Sequence, residues 1–327
     1  MSDCAPPIPD PVRALMARLG PVWASDIPRH VREVIDAFDP VLATAPKQGV
    51  STFVDIAYGD DPRQQLDVFA QKSAQPRPVV VFVHGGAFVD GHRNRSAEVY
   101  ANVLYYFARH GIVGVNIEYR LAPLHPYPSG IEDVAAAIAW VRANIARYGG
   151  DPAKIILVGH SAGAAHAAGF AYDHLLNPPM HGSVAGLIVI SGRVRADALP
   201  ENPNAQKVQA YFGPDIARYE ALSPVNLVAA PCIPTLVAFA EYENPLIDVY
   251  CLELAYRVAL ATRRAPQVLR LEGHNHTSMI AHINTADDRL GQAMREFIGN
   301  TCESMANVDS EAGLAAGHPS LAPSRLL

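Results

Sequence analysis

A chain of 327 residues with 50% hydrophobic positions can enclose a sizeable core, as one large α/β domain or two modest ones. Its formal net charge of -6, with Lys and Arg scattered and no stripe of interleaved aromatic and basic residues, leaves nucleic acid without an electrostatic foothold. The N-terminus lacks the basic start and apolar core of a signal peptide, and no run approaches the ~18 uninterrupted apolar residues of a membrane helix, so a cytoplasmic protein without a membrane partner is expected.

Residues 10 to 45 carry two amphipathic patterns, the clearer being Val31, Val34, Ile35 and Phe38 after the start signal Asp26-Ile27-Pro28. They predict a small N-terminal helical cap over residues 1–48. Thr52 to Ala57 and Leu66 to Ala70, separated by the turn Gly59-Asp60-Asp61-Pro62, predict an antiparallel hairpin. From Val79 the chain alternates apolar strands with helices: Val79 to Val83, a helix near 96–109, Ile112 to Ile117, a helix near 131–148, and Ile155 to Val158. The second of these helices puts Val134, Ile138, Val141 and Ile145 on one face, with Glu132 and Asp133 in its first turn and Gly149-Gly150 beyond its end.

Later strands are predicted at Leu187 to Ile190, Thr235 to Ala240 and Gln267 to Leu271, and the last helices near 246–262 and 287–298. Repeated β-α units with continuous apolar strands mean a largely parallel, buried sheet. Residues 49–300 therefore form one catalytic-sized domain of the α/β class. The Pro- and Asn-rich stretch from Arg193 to Pro234 is placed over the sheet's carboxyl edge, where open α/β sheets hold ligands. After Thr301 the composition turns to Ser, Ala, Gly and Pro, which predicts a mobile tail over 301–327.

Gly159-His160-Ser161-Ala162-Gly163 lies between the apolar strand and an alanine-rich helix, the setting of a nucleophile elbow with Ser161 at its apex. A serine hydroxyl alone is a poor nucleophile, so a base, an acid and an oxyanion site are required elsewhere. His84-Gly85-Gly86-Ala87-Phe88 follows the strand Val79 to Val83, and its paired glycines let the N–H groups of Gly85 and Gly86, with that of Ala162, surround a substrate oxygen. His84 reads as a hydrogen-bonder within that loop.

For the base, Gly273-His274-Asn275-His276-Thr277 follows the strand Gln267 to Leu271, and His276 is preferred over His274 because it leads into the next helical segment. A metal-binding His-x-His pair is the alternative, with no third ligand at matching spacing. Cys4, Cys232, Cys251 and Cys302 are far apart and read as free thiols. His160, His166, His174 and His181 read as local or surface residues. The acid is sought in Glu241-Tyr242-Glu243-Asn244-Pro245-Leu246-Ile247-Asp248: Glu243 sits in the loop and is preferred, while Glu241 and Asp248, the latter in the first turn of a helix, stay open.

These residues resemble the α/β-hydrolase superfamily, and more narrowly the hormone-sensitive-lipase-like and kynurenine-formamidase-like esterases, over roughly residues 58–298. Besides HGGAF and GHSAG, the segment Glu118-Tyr119-Arg120-Leu121-Ala122-Pro123-Leu124-His125-Pro126-Tyr127-Pro128 and the turn Gly149-Gly150-Asp151-Pro152 match that family's strings. Ala87 stands where the family's oxyanion motif has a third glycine, and its DPL acid motif appears as Glu243-Asn244-Pro245-Leu246. His160 in the elbow is similar to the formamidase and feruloyl-esterase relatives.

The resemblance implies an α/β-hydrolase fold and a serine carboxylesterase of small short-acyl esters, with catalytic residues Ser161, Glu243 and His276 and no metal or organic cofactor. The expected partner is a small-molecule ester bound in an apolar pocket between the cap and the 193–234 excursion; a homodimer is one option for its assembly. An arylformamidase acting on N-formylkynurenine is the alternative enzyme. A non-catalytic ligand-binding protein of the same fold is a further alternative, against which the presence of both Ser161 and His276 argues.

Overall fold

The computed structural model describes residues 4–173 and 182–316, with side chains to residue 305; His174 and His181 lie outside the described residues. Alternating strands and helices resolve into one eight-stranded sheet with strands β1 (Val50–Ala57), β2 (Gln65–Gln71), β3 (Arg77–Val83), β4 (Val113–Ile117), β5 (Gly150–His160), β6 (Gly186–Ile190), β7 (Thr235–Tyr242) and β8 (Gln267–Asn275). Their order across the sheet is β1-β2-β4-β3-β5-β6-β7-β8. β2 runs antiparallel to both β1 and β4, and every other pair is parallel. This is the α/β-hydrolase fold.

Period-two alternation explains the two cores. On one face Val80, Phe82, Ile156, Val158, Ile188 and Leu236 pack under the N-terminal helices α1 (Asp10–Leu19) and α2 (Ile27–Ala43), with α3 (Ala101–Arg109) and the C-terminal helix. On the other, Val79, Val81, Ile155, Leu157, Leu187 and Val237 pack under α4 (Ser129–Asn144), α5 (Ala162–Tyr172) and the later helix α8 (Ile247–Thr262). The predicted α4 face is buried, and the left-handed Gly149 (φ 82°) closes the short 3-10 turn that follows it. In α2 the Asp26 side chain caps the Arg29 N–H, as its start signal predicts.

β5 and β8 run longer than predicted, over Gly150–His160 and Gln267–Asn275, and two helix boundaries differ from the sequence reading by five residues or more. The helix predicted from residue 96 begins only at Ala101, because Ser96 folds back on the Glu98 and Val99 N–H groups and Tyr100 takes φ 83°. The last helix, Arg289–Ala316, runs through Thr301, where composition predicts a tail. Thr301 and Cys302 are buried, so tertiary packing carries the helix beyond the point where its sequence turns polar and small; residues 317–327 are outside the described residues.

The excursion after β6 forms α6 (Ala205–Phe212) and α7 (Tyr219–Leu222) with short 3-10 turns. It is anchored by Phe88 of the HGGAF loop, whose ring stacks on Tyr211 at 4.8 Å and meets Phe212 edge-on. A last short helix, α9 (Ser278–Ala281), follows β8, and Arg289–Ala316 is α10. Among the described residues no helix is long and apolar enough to cross a membrane.

Candidate active site

The carboxyl ends of β3, β5, β6, β7 and β8 meet on one edge of the sheet, and each delivers a polar group to one place. Ser161, between β5 and α5, has φ 55° and ψ -120°, a conformation that an L-residue keeps only under structural compulsion. The close packing of the turn supplies it: a Cβ on Gly163 would lie 2.2 Å from the Val83 carbonyl oxygen. The Ser161 Oγ–H donates to His276 Nε2 at 3.0 Å. His276 Nδ1–H in turn donates to Glu243 Oε2 at 2.6 Å.

Glu243 is the first residue beyond β7, and both of its oxygens are engaged. Oε1 accepts from the Ser191 hydroxyl at 2.5 Å and from the Ala240 N–H at 2.8 Å, which leaves Oε2 for the imidazole. Ser191, at the end of β6 with φ 48°, carries no motif in the sequence and was not a candidate. Of the other acids, Glu241 is turned to the outside, where it accepts from the Gly273 N–H and pairs with Arg270; the Gly273 bond and that cation hold its carboxyl below its ordinary pKa. Asp248 lies in the first turn of α8. His274 faces away from Ser161, toward Ser278 and Asp287.

The HGGAF loop is held from beneath. His84 is fully buried, stacked on Tyr119 at 4.3 Å, with Nε2 at 2.8 Å from Glu118 Oε1 and Nδ1 at 2.8 Å from the Gly85 carbonyl. Burial would raise the Glu118 pKa, but His84, the Arg93 N–H and Arg63 outweigh it and keep this carboxyl below its usual value. The EYRLAP segment is thus the scaffold of the loop. Because C=O and N–H of a trans peptide point in opposite directions, fixing the Gly85 carbonyl on His84 turns the Gly86 N–H away from it.

One sequence expectation is corrected here. The Gly85 N–H donates to the Tyr100 hydroxyl at 3.3 Å, so Gly85 is not a free oxyanion donor. Among the described residues nothing accepts from the N–H groups of Gly86, Ala87 or Ala162; Gly86 and Ala87 both line the cavity at Ser161. Gly85 is required for space instead, since a Cβ there would stand 2.9 Å from Ser161 Cβ and 3.1 Å from His160 Nδ1.

Of the histidines read as local or surface residues, His160 and His166 are buried. Burial, with a smaller contribution from His276, drives the His160 pKa well below its ordinary value, so the ring is neutral. It donates from Nε2 to the His276 carbonyl at 3.2 Å and accepts at Nδ1 from the Tyr100 hydroxyl at 3.4 Å. Tyr100, pushed up to about 12 by burial, thereby joins the HGGAF loop to the His276 loop. No sequence motif marks Tyr100.

The N-terminal cap braces the same edge. Trp23 Nε1–H donates to Asn244 Oδ1 at 2.9 Å, one residue beyond Glu243, and Asn275 Nδ2 approaches Met16 Sδ at 3.5 Å, one residue before His276. Between cap and excursion opens a cavity of about 560 Å³, lined by Ile27, Val31 and Ile35 from α2 and by Pro203, Asn204 and Lys207 from the excursion. Its position agrees with expectation, but its walls are mixed rather than apolar: Arg32, Arg95 and Lys207 contribute to them.

The BD-FAE family model matches residues 66–245, more than half of the chain, and spans the HGGAF loop, the elbow and Glu243. The chain belongs to the BD-FAE family. This BD-FAE chain is similar to Esterase LipC of Mycobacterium tuberculosis, 48% identical over 110 residues, which are 33% of this chain and 27% of LipC. It is similar over a longer stretch to Esterase LipQ of the same organism, 29% identical over 267 residues, 75% of this chain and 61% of LipQ. The chain thus spans less than two thirds of either relative. Among solved structures it is similar to the Bacterial Heroin Esterase at a TM-score of 0.67 and 22% identity, covering 90% of this chain and 97% of that one. That likeness shows the fold.

Proposed function

We propose that this BD-FAE chain is a serine carboxylesterase that hydrolyses small, short-acyl esters through an acyl-enzyme. The observation that carries the reading is the continuous hydrogen-bonded line from Ser161 through His276 to Glu243, at 3.0 and 2.6 Å. His276 Nε2 takes the Ser161 proton as Oγ attacks the ester carbonyl, and Glu243 orients the ring and stabilises the imidazolium. The N–H groups of Gly86, Ala87 and Ala162 receive the oxyanion, Ala162 from the amino end of α5. His276 then returns the proton to the departing alcohol, and a water activated at the same nitrogen releases the acid.

The cavity supports a small substrate, being within the usual ~300–1,000 Å³ range of small-molecule sites. Arg32, Arg95 and Lys207 in its wall favour polar or anionic substituents over long alkyl chains. The names of LipC and LipQ as esterases point the same way.

The test is a panel of p-nitrophenyl acetate, butyrate and longer acyl esters, with N-formylkynurenine as the amide competitor, assayed on wild type and Ser161→Ala. Acetate and butyrate are expected to turn over fastest, and Ser161→Ala to lose all measurable turnover. Retained ester hydrolysis in that variant would overturn the reading, and faster cleavage of the formamide would replace the ester by the amide.

A further inference from the structure

On the far side of the His276 loop three ligand-type side chains converge. Ligand atoms of His274, His282 and Asp287 all lie within 4.8 Å of one another. They come from the end of β8, the residue after α9, and the turn before α10, so the segment that carries His276 is looped through them.

The hydrogen bonds determine which ring nitrogens are available. A carboxylate only accepts, so His274 Nε2–H donates to Asp287 Oδ2 at 3.1 Å and His274 Nδ1 accepts from the Ser278 hydroxyl at 3.0 Å. His282 Nδ1 faces the Ser278 carbonyl at 2.6 Å and must be protonated, which leaves Nε2 of a neutral ring as a lone pair. That nitrogen is fully buried and has no hydrogen-bond partner among the described residues. A bare, buried ring nitrogen beside a second imidazole and a carboxylate is a place that a metal ion fills, with the His274 Nε2 proton released on binding. The Ser278 hydroxyl, which also reaches the Asn275 carbonyl at 3.2 Å, can then turn to that carbonyl and accept from His274 Nδ1–H.

We propose that His274, His282 and Asp287 bind a divalent transition-metal ion, Zn²⁺ by ligand type, which braces the loop that bears His276. Two His nitrogens and one Asp oxygen make a familiar donor set for zinc. The buried side chains close one side, while Asp287 is 20% exposed and admits a water as fourth ligand. Arg289 shares the carboxylate, through Nη2 to Oδ2 at 2.7 Å and Nε to Oδ1 at 2.9 Å. Each carboxylate oxygen offers a second lone pair, so the arginine weakens the site without blocking it.

The experiment is a Co²⁺ titration of the chelator-treated full chain, read by visible d–d absorption and by metal content after gel filtration. One Co²⁺ per chain is expected, with a Kd on the order of micromolar, displaced by Zn²⁺. His282→Gln should abolish it, and Asp287→Asn, at the partly exposed ligand, should weaken it at least about tenfold. His276→Gln should bind as wild type does. At saturating Zn²⁺ the wild-type Tm should rise by on the order of 5 °C, and that of Asp287→Asn should not. Absence of a single site up to about 1 mM metal, a range well above that of structural zinc, leaves only a hydrogen-bonded cluster and overturns the proposal. Equal binding in Asp287→Asn does the same, and does so even if His282→Gln fails to fold. Neither readout depends on ester hydrolysis.

Discussion

Replacing Glu243 by glutamine tests the acid more sharply than deleting it, because the surroundings dictate how the amide must sit. Ser191 O–H and Ala240 N–H both donate to the Oε1 position, so the carboxamide oxygen belongs there and the NH₂ group takes the Oε2 position facing His276 Nδ1. An amide N–H aimed at Nδ1 leaves that nitrogen as acceptor and puts the ring proton on Nε2, which then cannot take the Ser161 proton. Flipping the amide would lose two hydrogen bonds at ~1 kcal/mol each, so the productive orientation holds about one molecule in thirty. Loss of the negative charge adds to this, and an acid-to-amide change in such a triad lowers kcat by ~10⁴. The whole effect is ~5.5 kcal/mol of transition-state stabilisation. Adding Ser191→Ala removes one of the two donors that enforce the orientation and halves the flip cost, so Glu243→Gln/Ser191→Ala should run ~5-fold faster than Glu243→Gln alone. The assay is kcat/KM on p-nitrophenyl acetate, with thermal melts to show that each variant is folded. More than ~10% of wild-type activity in Glu243→Gln, or an equal loss in Asp248→Asn, would refute the assignment.

Acid should destabilise the fold through His166, whose pKa burial pushes down to about 3 from 6.5. As pH falls the unfolded chain takes up this proton first, so stability is present above pH 6.5 and declines toward pH 3, by ~2 kcal/mol between pH 7 and 5. Urea melts of His166→Gln should lack that share of the loss; an unchanged pH dependence would count against it. Tyr100→Phe strips Gly85 of its acceptor and His160 of its donor, both across long bonds, and should lower kcat ~10-fold with KM unaltered. An unaltered kcat would show that the Tyr100 link positions nothing. Trp23→Phe leaves buried Asn244 Oδ1 without its donor and should cost ~1–3 kcal/mol in urea unfolding, together with reduced turnover. No shift in the urea midpoint would remove the cap from the account of the acid turn.

Local signals carried much of this architecture. Continuous apolar strands, the capped cap helix and the α4 stripe each state their conformation within a dozen residues, and the strand-glycine-serine-helix string does so for Ser161. Glu243 and His276 were also legible, because each follows a strand that must end on the same edge. What the sequence concealed depends on contacts across the chain. Tyr100 and Ser191 both have positive φ, 83° and 48°, their hydroxyls reach partners 15 and 52 residues away, and neither has a local signature. The Gly85 N–H was assigned to the oxyanion because glycine implies access, whereas the nearby Tyr100 hydroxyl claims it. His160 ends β5, and His166 lies in α5, a helix that is buried on nearly every face, which an alanine-rich sequence with little amphipathic pattern does not announce.

The two bonds from the cap to the acid and base turns have a temporal meaning. They join residues 221 and 259 positions apart, so the cap helices wait for the turns after β7 and β8 before they can dock. Contacts of such long sequence separation form late, after the loop-closure entropy has been met. The sheet can therefore be complete while the Ser161–His276–Glu243 line still lacks its brace, and under the proposed esterase reading turnover becomes a reporter of chain closure. On refolding from urea, ellipticity should recover before turnover, and Trp23→Phe should widen the interval. Coincident recovery of both signals would show that cap and sheet assemble in one step.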